Sequence, residues 1–376
     1  MSRFVRLCET ASPTGDEREI ADMVRSELES LGLEVSEDDA AGPAGAGAGN
    51  LLARIPGRSR ADGSDPGFVM FCAHLDTVPH QGPIEVVLGE DGTYRSAGDT
   101  ILGADNKAAV AVLIEMAARA VAAPPAIGLE LLFTVAEEQG LRGAAAFDQS
   151  ELRSGIGFVL DHATDIGEVI TAAPTHIGIK ADFRGLEAHA GLIPESGRSA
   201  IAAASRAIAE MKLGRLDEET TANIGVISGG SSGNVIPGHC AVVGEARSVD
   251  PLRVTEVIGE MTDAIVWAAS EGGVEAEVST QKHFTGYRVD DESKALALAE
   301  KALKERGHQP KRITTGGGSD ANVFRERGMD CLLLANGTYA NHTSDESVPR
   351  ENLAGMLAIC EAIVAAAGAE PAGVQA

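Results

Sequence analysis

The chain is short of positive charge. Against 56 aspartates and glutamates it sets only 31 lysines and arginines, a formal charge of −25, and a surface that acidic repels phosphate backbones and anionic headgroups. Nucleic-acid and membrane partners are therefore not expected. A disulfide pattern is also missing. The five cysteines (Cys8, Cys72, Cys240, Cys331, Cys360) are odd in number, widely spaced and without a CxxC pair, which fits reduced, buried thiols in the cytoplasm better than a cross-linked frame or a zinc knuckle. The opening "MSRFVRLCETASPTGDE" has no continuous apolar core of the kind a secretory signal needs, and no uncharged apolar run reaches membrane-spanning length. No internal repeat is found. What the chain does have is size: its 376 residues, 44% hydrophobic and 23% charged, suffice for a large core and two domains.

The periodicities sort the chain into an α/β frame with an insertion. "TGDEREIADMVRSELESLGLEV" puts Ile20, Met23, Val24, Leu28 and Leu31 on one helical face, opens with a Thr14/Glu17 capping box and stops at Gly32. Loops "AAGPAGAGAGN" and "GRSRADGSDPG" flank a strand "LLARI". Next come a strand "FVMFCAH", a helix from about Asn106 to Val121, and strands "LELLFTV" and "IGFVLD", the alternation of a doubly wound layer. From Ala172 the order becomes strand "IGIKADF", helix "RSAIAAASRAIAEM", strands "ANIGVIS" and "HCAVVGEA", helix "RVTEVIGEMTDAIVWAAS", strand "VEAEVST". That βαββαβ order is ferredoxin-like. Beyond Tyr287 the α/β rhythm resumes with "DESKALALAEKALKERG", "CLLLA" and a last helix from Glu351. The expected domains are thus 1–171 and 288–376 for a discontinuous α/β domain, and 172–287 for the insertion.

Ionisable residues gather at the ends of the apolar segments. His74 and Asp76 project from the same side at the end of the strand "FVMFCAH", where open α/β sheets keep their chemistry. Asp105 stands at a loop-to-helix junction in "GADNKAAVAVLIEM", Glu137 and Glu138 follow "LELLFTVA", Asp161 ends "GFVLD", and His342 follows "CLLLA". Each has a plainer reading: Asp105 as a helix N-cap, the glutamates as a solvated helix start, Asp161 and His342 as loop residues. Together they have a chemical logic. Two divalent cations roughly 3.5–4 Å apart need a bridging carboxylate, further O and N ligands and an open position, and Asp105, Glu138 and Asp161 supply three negative charges. His80 reads as a loop residue.

"HLDTV", "GADNK", "EEQG" and "NHTSDE", in this order around an inserted βαββαβ domain, resemble the di-zinc M20 metallopeptidases, and most of all their peptidase T (tripeptide aminopeptidase) branch. The likeness runs through essentially the whole chain, including "ASPTGDEREIA", "AHAG" and "NVIP". It implies a doubly wound catalytic domain with a ferredoxin-like lid that also dimerises. It further implies two divalent ions per chain, zinc with cobalt or manganese as substitutes, one held by His74, Asp105 and Asp161 and the other by Asp105, Glu138 and His342. Asp76 would orient the His74 ring. Glu137 would be the general base, taking a proton from the attacking water and returning it to the leaving amine. In the lid, His189 would donate to the developing oxyanion and Asn234 hold substrate, while Arg247 and the "GGGSD" loop, through Gly317 and Ser319, would take a substrate carboxylate. The resemblance also implies a cis Asp105–Asn106 peptide bond. The expected activity is cleavage of tripeptides from the amino end. Deacylation of N-acyl amino acids, dipeptidase or carboxypeptidase activity on the same scaffold, and non-catalytic binding of peptide or metal are the alternatives.

Overall fold

The computed structural model describes residues 2–59 and 65–369, so part of the polar loop 57–67 lies outside the described residues. The chain forms two compact units, one of Met1–Thr171, Val289–Ile313 and Ser319–Ala376, the other of Ala172–Arg288 and Thr314–Gly318.

The first unit is built on a mixed sheet. Its main run, in spatial order, is Val35–Glu37, Leu51–Ile55, Gly128–Thr134, Phe68–His74, Ile156–His162, Asp330–Ala335 and Glu168–Ala173. The four inner strands, from Gly128–Thr134 to Asp330–Ala335, are parallel, and their flanking partners are antiparallel. Strands covered on both faces need side chains that can be buried on both, which is why "FVMFCAH" and "GLELLFT" are nearly continuous apolar runs. From Phe68–His74 the chain crosses through the helix Ala104–Ala122 to a neighbour on one side, and the next strand, Ile156–His162, lies on the other. Such a reversal, at the carboxyl end of Phe68–His74, is where open α/β sheets place their binding sites.

Helices Ser2–Glu9, Arg18–Ser30 and Arg350–Gly368 pack on Ala104–Ala122, and Lys294–Glu305 packs on Arg350–Gly368. Arg350–Gly368 is long and apolar enough to cross a membrane, but half of its apolar window is buried inside the protein. It is a core helix, with Met356, Ile359, Cys360 and Ile363 in the main hydrophobic cluster. The expected Thr14/Glu17 capping box does not form. The helix begins at Arg18 with no side-chain cap, because both residues have tertiary partners: Thr14 Oγ1 donates to Asp76 Oδ2 (2.7 Å) and Glu17 Oε2 accepts from Gly47 N (2.5 Å). Among the features that went unforeseen are the helix Ser2–Glu9, the strand Glu168–Ala173, and a three-stranded sheet of Val86–Leu88, Thr93–Ser96 and Ser347–Pro349.

The second unit is a five-stranded antiparallel sheet ordered Gly214–Arg215, Thr220–Gly229, His239–Ser248, Thr175–Arg184, Glu275–Phe284. Helices Ala200–Glu210 and Pro251–Gly272 pack on it around a separate cluster that includes Phe183, Ala204, Val242, Val257 and Ile265. Numbered along the chain, its four long strands lie second, third, first, fourth, the ferredoxin-like arrangement. The stretch Thr314–Gly318 belongs here through Thr315 N donating to Ala172 O (3.0 Å) and Arg247 Nη1 to Gly316 O (3.2 Å). At Gly318 a Cβ would lie 2.3 Å from Phe284 Cζ, so only glycine fits.

Candidate metal centre

The site grows from the carboxyl ends of the parallel strands. His74 ends its strand and is buried; its Nδ1–H donates to the Asp76 carbonyl oxygen (2.9 Å), with Asp76 Oδ1 at 3.5 Å. That fixes the ring with Nε2 facing Asp105 Oδ1 (3.2 Å) and Asp161 Oδ1 (3.3 Å). His342 Nε2 faces the other oxygen, Asp105 Oδ2 (3.1 Å), and Glu138 Oε1 (3.0 Å). Asp105 therefore presents one oxygen to the His74/Asp161 group and the other to the Glu138/His342 group. The Asp105–Asn106 peptide bond is cis. His342 adopts φ 66° and Ala340 φ 53°, left-handed conformations that turn this loop. By distance alone, ligand atoms of His74, Glu137 and Asp161 also lie within 4.8 Å of one another, as do those of His74, Asp105 and Glu138.

Asp76 does more than orient an imidazole. Its Oδ1 accepts from Glu137 N (3.0 Å), and its Oδ2 from Glu138 N (3.2 Å) and Thr14 Oγ1, so this buried carboxylate also holds the turn that carries both glutamates. Other groups that the motifs contain without advertising their part surround the site. Asn106 Nδ2 donates to Asp161 Oδ1 (3.1 Å). Asp320, buried, accepts from Thr134 Oγ1 (2.5 Å). Lys107, fully buried, donates to the Leu7 and Thr10 carbonyls (3.4 Å each). Glu346, also buried, accepts backbone N–H groups from Leu102, Gly103 and Asp105.

The electrostatics are those of a concentrated negative charge. Burial would raise Asp105, but hydrogen bonds from His342 and His74 outweigh it and hold the carboxyl well below the usual range. Burial opposes a charge on His74, yet Asp161 and Asp105 drive its pKa well above that of a free imidazole. Hydrogen bonds to Asp105 and Glu138 push His342 up to about 10. Burial pushes Asp161 up to about 7 and Asp320 to about 6. Burial and then the charge of Asp161 hold Glu137 well above the ordinary carboxyl range. Carboxylates this close demand positive charge from their surroundings, and the mixed oxygen and imidazole donors suit a pair of divalent first-row ions. The donor set thus fits two metals sharing Asp105.

The remaining expected residues belong to the second unit, apart from Ser319. His189 and Asn234 are brought together on a two-stranded ribbon: His189 pairs with Val235, and Ala190 N donates to Asn234 O (2.9 Å). His189 Nδ1 accepts from Gly191 N (3.2 Å), which places its proton on Nε2, the tautomer a hydrogen-bond donor requires. Asn234 Oδ1 accepts from Ser232 Oγ (2.6 Å). Arg247 is occupied by both oxygens of Glu245 (3.0 and 3.1 Å), which also meets His176 Nε2 at 2.9 Å. The N–H groups of Gly317 and Ser319 donate within their own loop, to Thr315 Oγ1 and Asn322 Oδ1 (3.1 Å each).

Comparison with known proteins gives the geometry a setting. Residues 171–272 match the M20 peptidase dimerisation domain and residues 50–169 match peptidase family M28. The chain is similar to the aminopeptidase PepT of Bacillus cereus, at 36% identity over 97% of both chains with a TM-score of 0.86. It is also similar to a tripeptidase of Staphylococcus aureus, at 32% identity over 98% of both chains with a TM-score of 0.91. The fold is shared with the YXEP protein of Bacillus subtilis, a dinuclear metal-binding peptidase of the M20 family, at 18% identity over 97% of this chain and 96% of that one, with a TM-score of 0.73.

Proposed function

Because this chain belongs to the M20 family of peptidases, we propose that it is a di-metal exopeptidase that removes the amino-terminal residue of short peptides, tripeptides above all. The observation that carries this reading is the division of Asp105, one oxygen toward His74 and Asp161, the other toward Glu138 and His342. The similarity to an aminopeptidase and a tripeptidase over almost the full chain supports the choice of substrate. His74, Asp105 and Asp161 would hold one ion, and Asp105, Glu138 and His342 the other. Zinc suits these N and O donors. When bound, the ions supply Lewis acidity toward the scissile carbonyl and lower the pKa of water.

The chain's own residues do the rest. Glu137, held beside the ligands by the Asp76–amide bond, takes the proton from the attacking water and passes it to the departing amine. Asp76 keeps both the imidazole and the glutamate turn in place. The dimerisation-domain match supports a homodimer formed through the second unit, and the five buried, unpaired cysteines support a reducing, cytoplasmic setting.

Zinc-reconstituted protein should release free amino-terminal residues from unblocked tripeptides and leave N-acyl amino acids intact, as read by chromatography of a small substrate panel. Preferential hydrolysis of the N-acyl amino acids, or of amino-blocked tripeptides, would overturn the aminopeptidase assignment. Elemental analysis of the same protein should find two tightly bound ions per chain; one or none would overturn the paired-metal reading.

A further inference from the structure

Glu346 closes the motif "NHTSDE", four residues after His342, and among the described residues its carboxylate accepts no hydrogen bond from a side chain. Instead, three backbone amides converge on it. Oε2 accepts from Leu102 N and Gly103 N, and Oε1 from Asp105 N, each at 2.8 Å. The group is 1% exposed. Gly103 has φ 72°, a left-handed turn that aims successive N–H groups at one point and so makes an anion-binding concavity. The two oxygens of a carboxyl group have lone pairs enough to accept all three N–H groups at once.

The loop that delivers Glu346 is closed at its base. Tyr339 and Ser347 exchange two backbone hydrogen bonds, 2.9 and 3.0 Å. Within it, Glu346 N donates to Thr343 O (3.2 Å) and Thr343 Oγ1 to Ala340 O (2.7 Å). The same closed loop therefore holds His342 at one point and grips the backbone of Asp105 at another. A movement of either segment would have to break the glutamate's bonds to the other.

We propose, resting on the paired-metal reading above, that Glu346 is the positioning residue for the second ion: it clamps the segment carrying Asp105 to the loop carrying His342, so that these two ligands are in register before metal arrives. The first ion depends on it less, since His74 and Asp161 come from other strands.

The test compares wild type with Glu346→Gln and Glu346→Ala. Glutamine keeps the shape but turns an NH2 group toward one of the amide donors; alanine removes the clamp. Zinc titration against a competing chelator should show the second binding step weakened about 10- to 100-fold, the range for residues that orient metal ligands, with the first step changed less than about threefold. Turnover lost at stoichiometric zinc should return with excess zinc, which a general loss of structure would not allow. In metal-free Glu346→Gln, amide hydrogen exchange at Leu102, Gly103 and Asp105 should accelerate. A wild-type second step in both variants, equal weakening of both steps, or unchanged exchange would overturn the clamp. A wild type that takes up a single ion would instead overturn the paired-metal reading, and the exchange measurement on metal-free protein would still decide whether the clamp exists.

Discussion

Glu137 and Glu138 are neighbours in the chain, yet Glu138 meets His342 while Glu137 lies with His74 and Asp161. Glu137→Ala should keep both ions and lose roughly 10²–10⁴ in kcat, the usual worth of a positioned acid–base group. Glu138→Ala should lose or weaken one ion. Parallel kinetics and elemental analysis separate the two, and near-normal turnover in Glu137→Ala would remove it from the chemistry. Lys107 offers a test by pH. Burial pushes it down to about 8, against ~10.4 for a free lysine. Between these values the unfolded chain holds more protons than the folded one, so this group makes stability rise with pH. In metal-free protein, the unfolding free energy of wild type relative to Lys107→Met should therefore increase from about pH 8 to about pH 10; a flat difference in urea denaturation would contradict the burial of a titrating amine. The side chains at the strand ends were readable because an ionisable group after an apolar run is conspicuous. Thr14 was assigned to a helix cap and Glu346 and Asp320 were given no role of their own, since what they bind, a carboxylate, three backbone amides and a threonine hydroxyl in turn, leaves no mark in spacing.

The elements were legible where burial imposes a period. Every strand expected between Phe68 and Asp161 exists, as do the helices around Ala104–Ala122, Ala200–Glu210, Pro251–Gly272 and Lys294–Glu305, because buried faces dictate apolar repeats over many residues. The capping box failed because Thr14 and Glu17 gain partners, Asp76 and Gly47, that are remote in sequence. The three-stranded sheet escaped notice because its strands are three or four residues long and join segments some 250 residues apart. Within the central strand Gly128–Thr134 one residue breaks the apolar run. Glu130 is fully buried and accepts from Arg54 Nε (2.9 Å), Arg153 N, Ser154 N and Ser154 Oγ. It fastens two neighbouring segments to the sheet. Glu130→Ala leaves those donors without an acceptor and should lower the unfolding free energy by roughly 2–4 kcal/mol, as urea denaturation would show; a change under about 0.5 kcal/mol, typical of surface sites, would mean the donors find other acceptors.

For the whole molecule, the second unit exposes Val226 and Ile227 on the strand Thr220–Gly229 and Leu252, Val266 and Trp267 on the helix Pro251–Gly272. Together with the dimerisation-domain match, these apolar groups lead to the expectation that analytical ultracentrifugation gives about twice the 38.7 kDa chain mass; a monomer at micromolar concentration would refute the dimer. The insertion itself was legible because βαββαβ interrupts the α/β rhythm, whereas the return of Thr314–Gly318 to the second unit was not, being a matter of two hydrogen bonds to backbone carbonyls and one glycine lying against Phe284. The discontinuity has a consequence during synthesis. Four of the five proposed ligands leave the ribosome before Ala172 begins the second unit, and His342 follows only after Arg288 has ended its main segment. At ~5–20 residues per second the interval from Asp161 to His342 lasts on the order of ten to forty seconds. For that time the nascent chain carries an acidic half-site without its last imidazole, and the proposed site is completed only once His342 has been made.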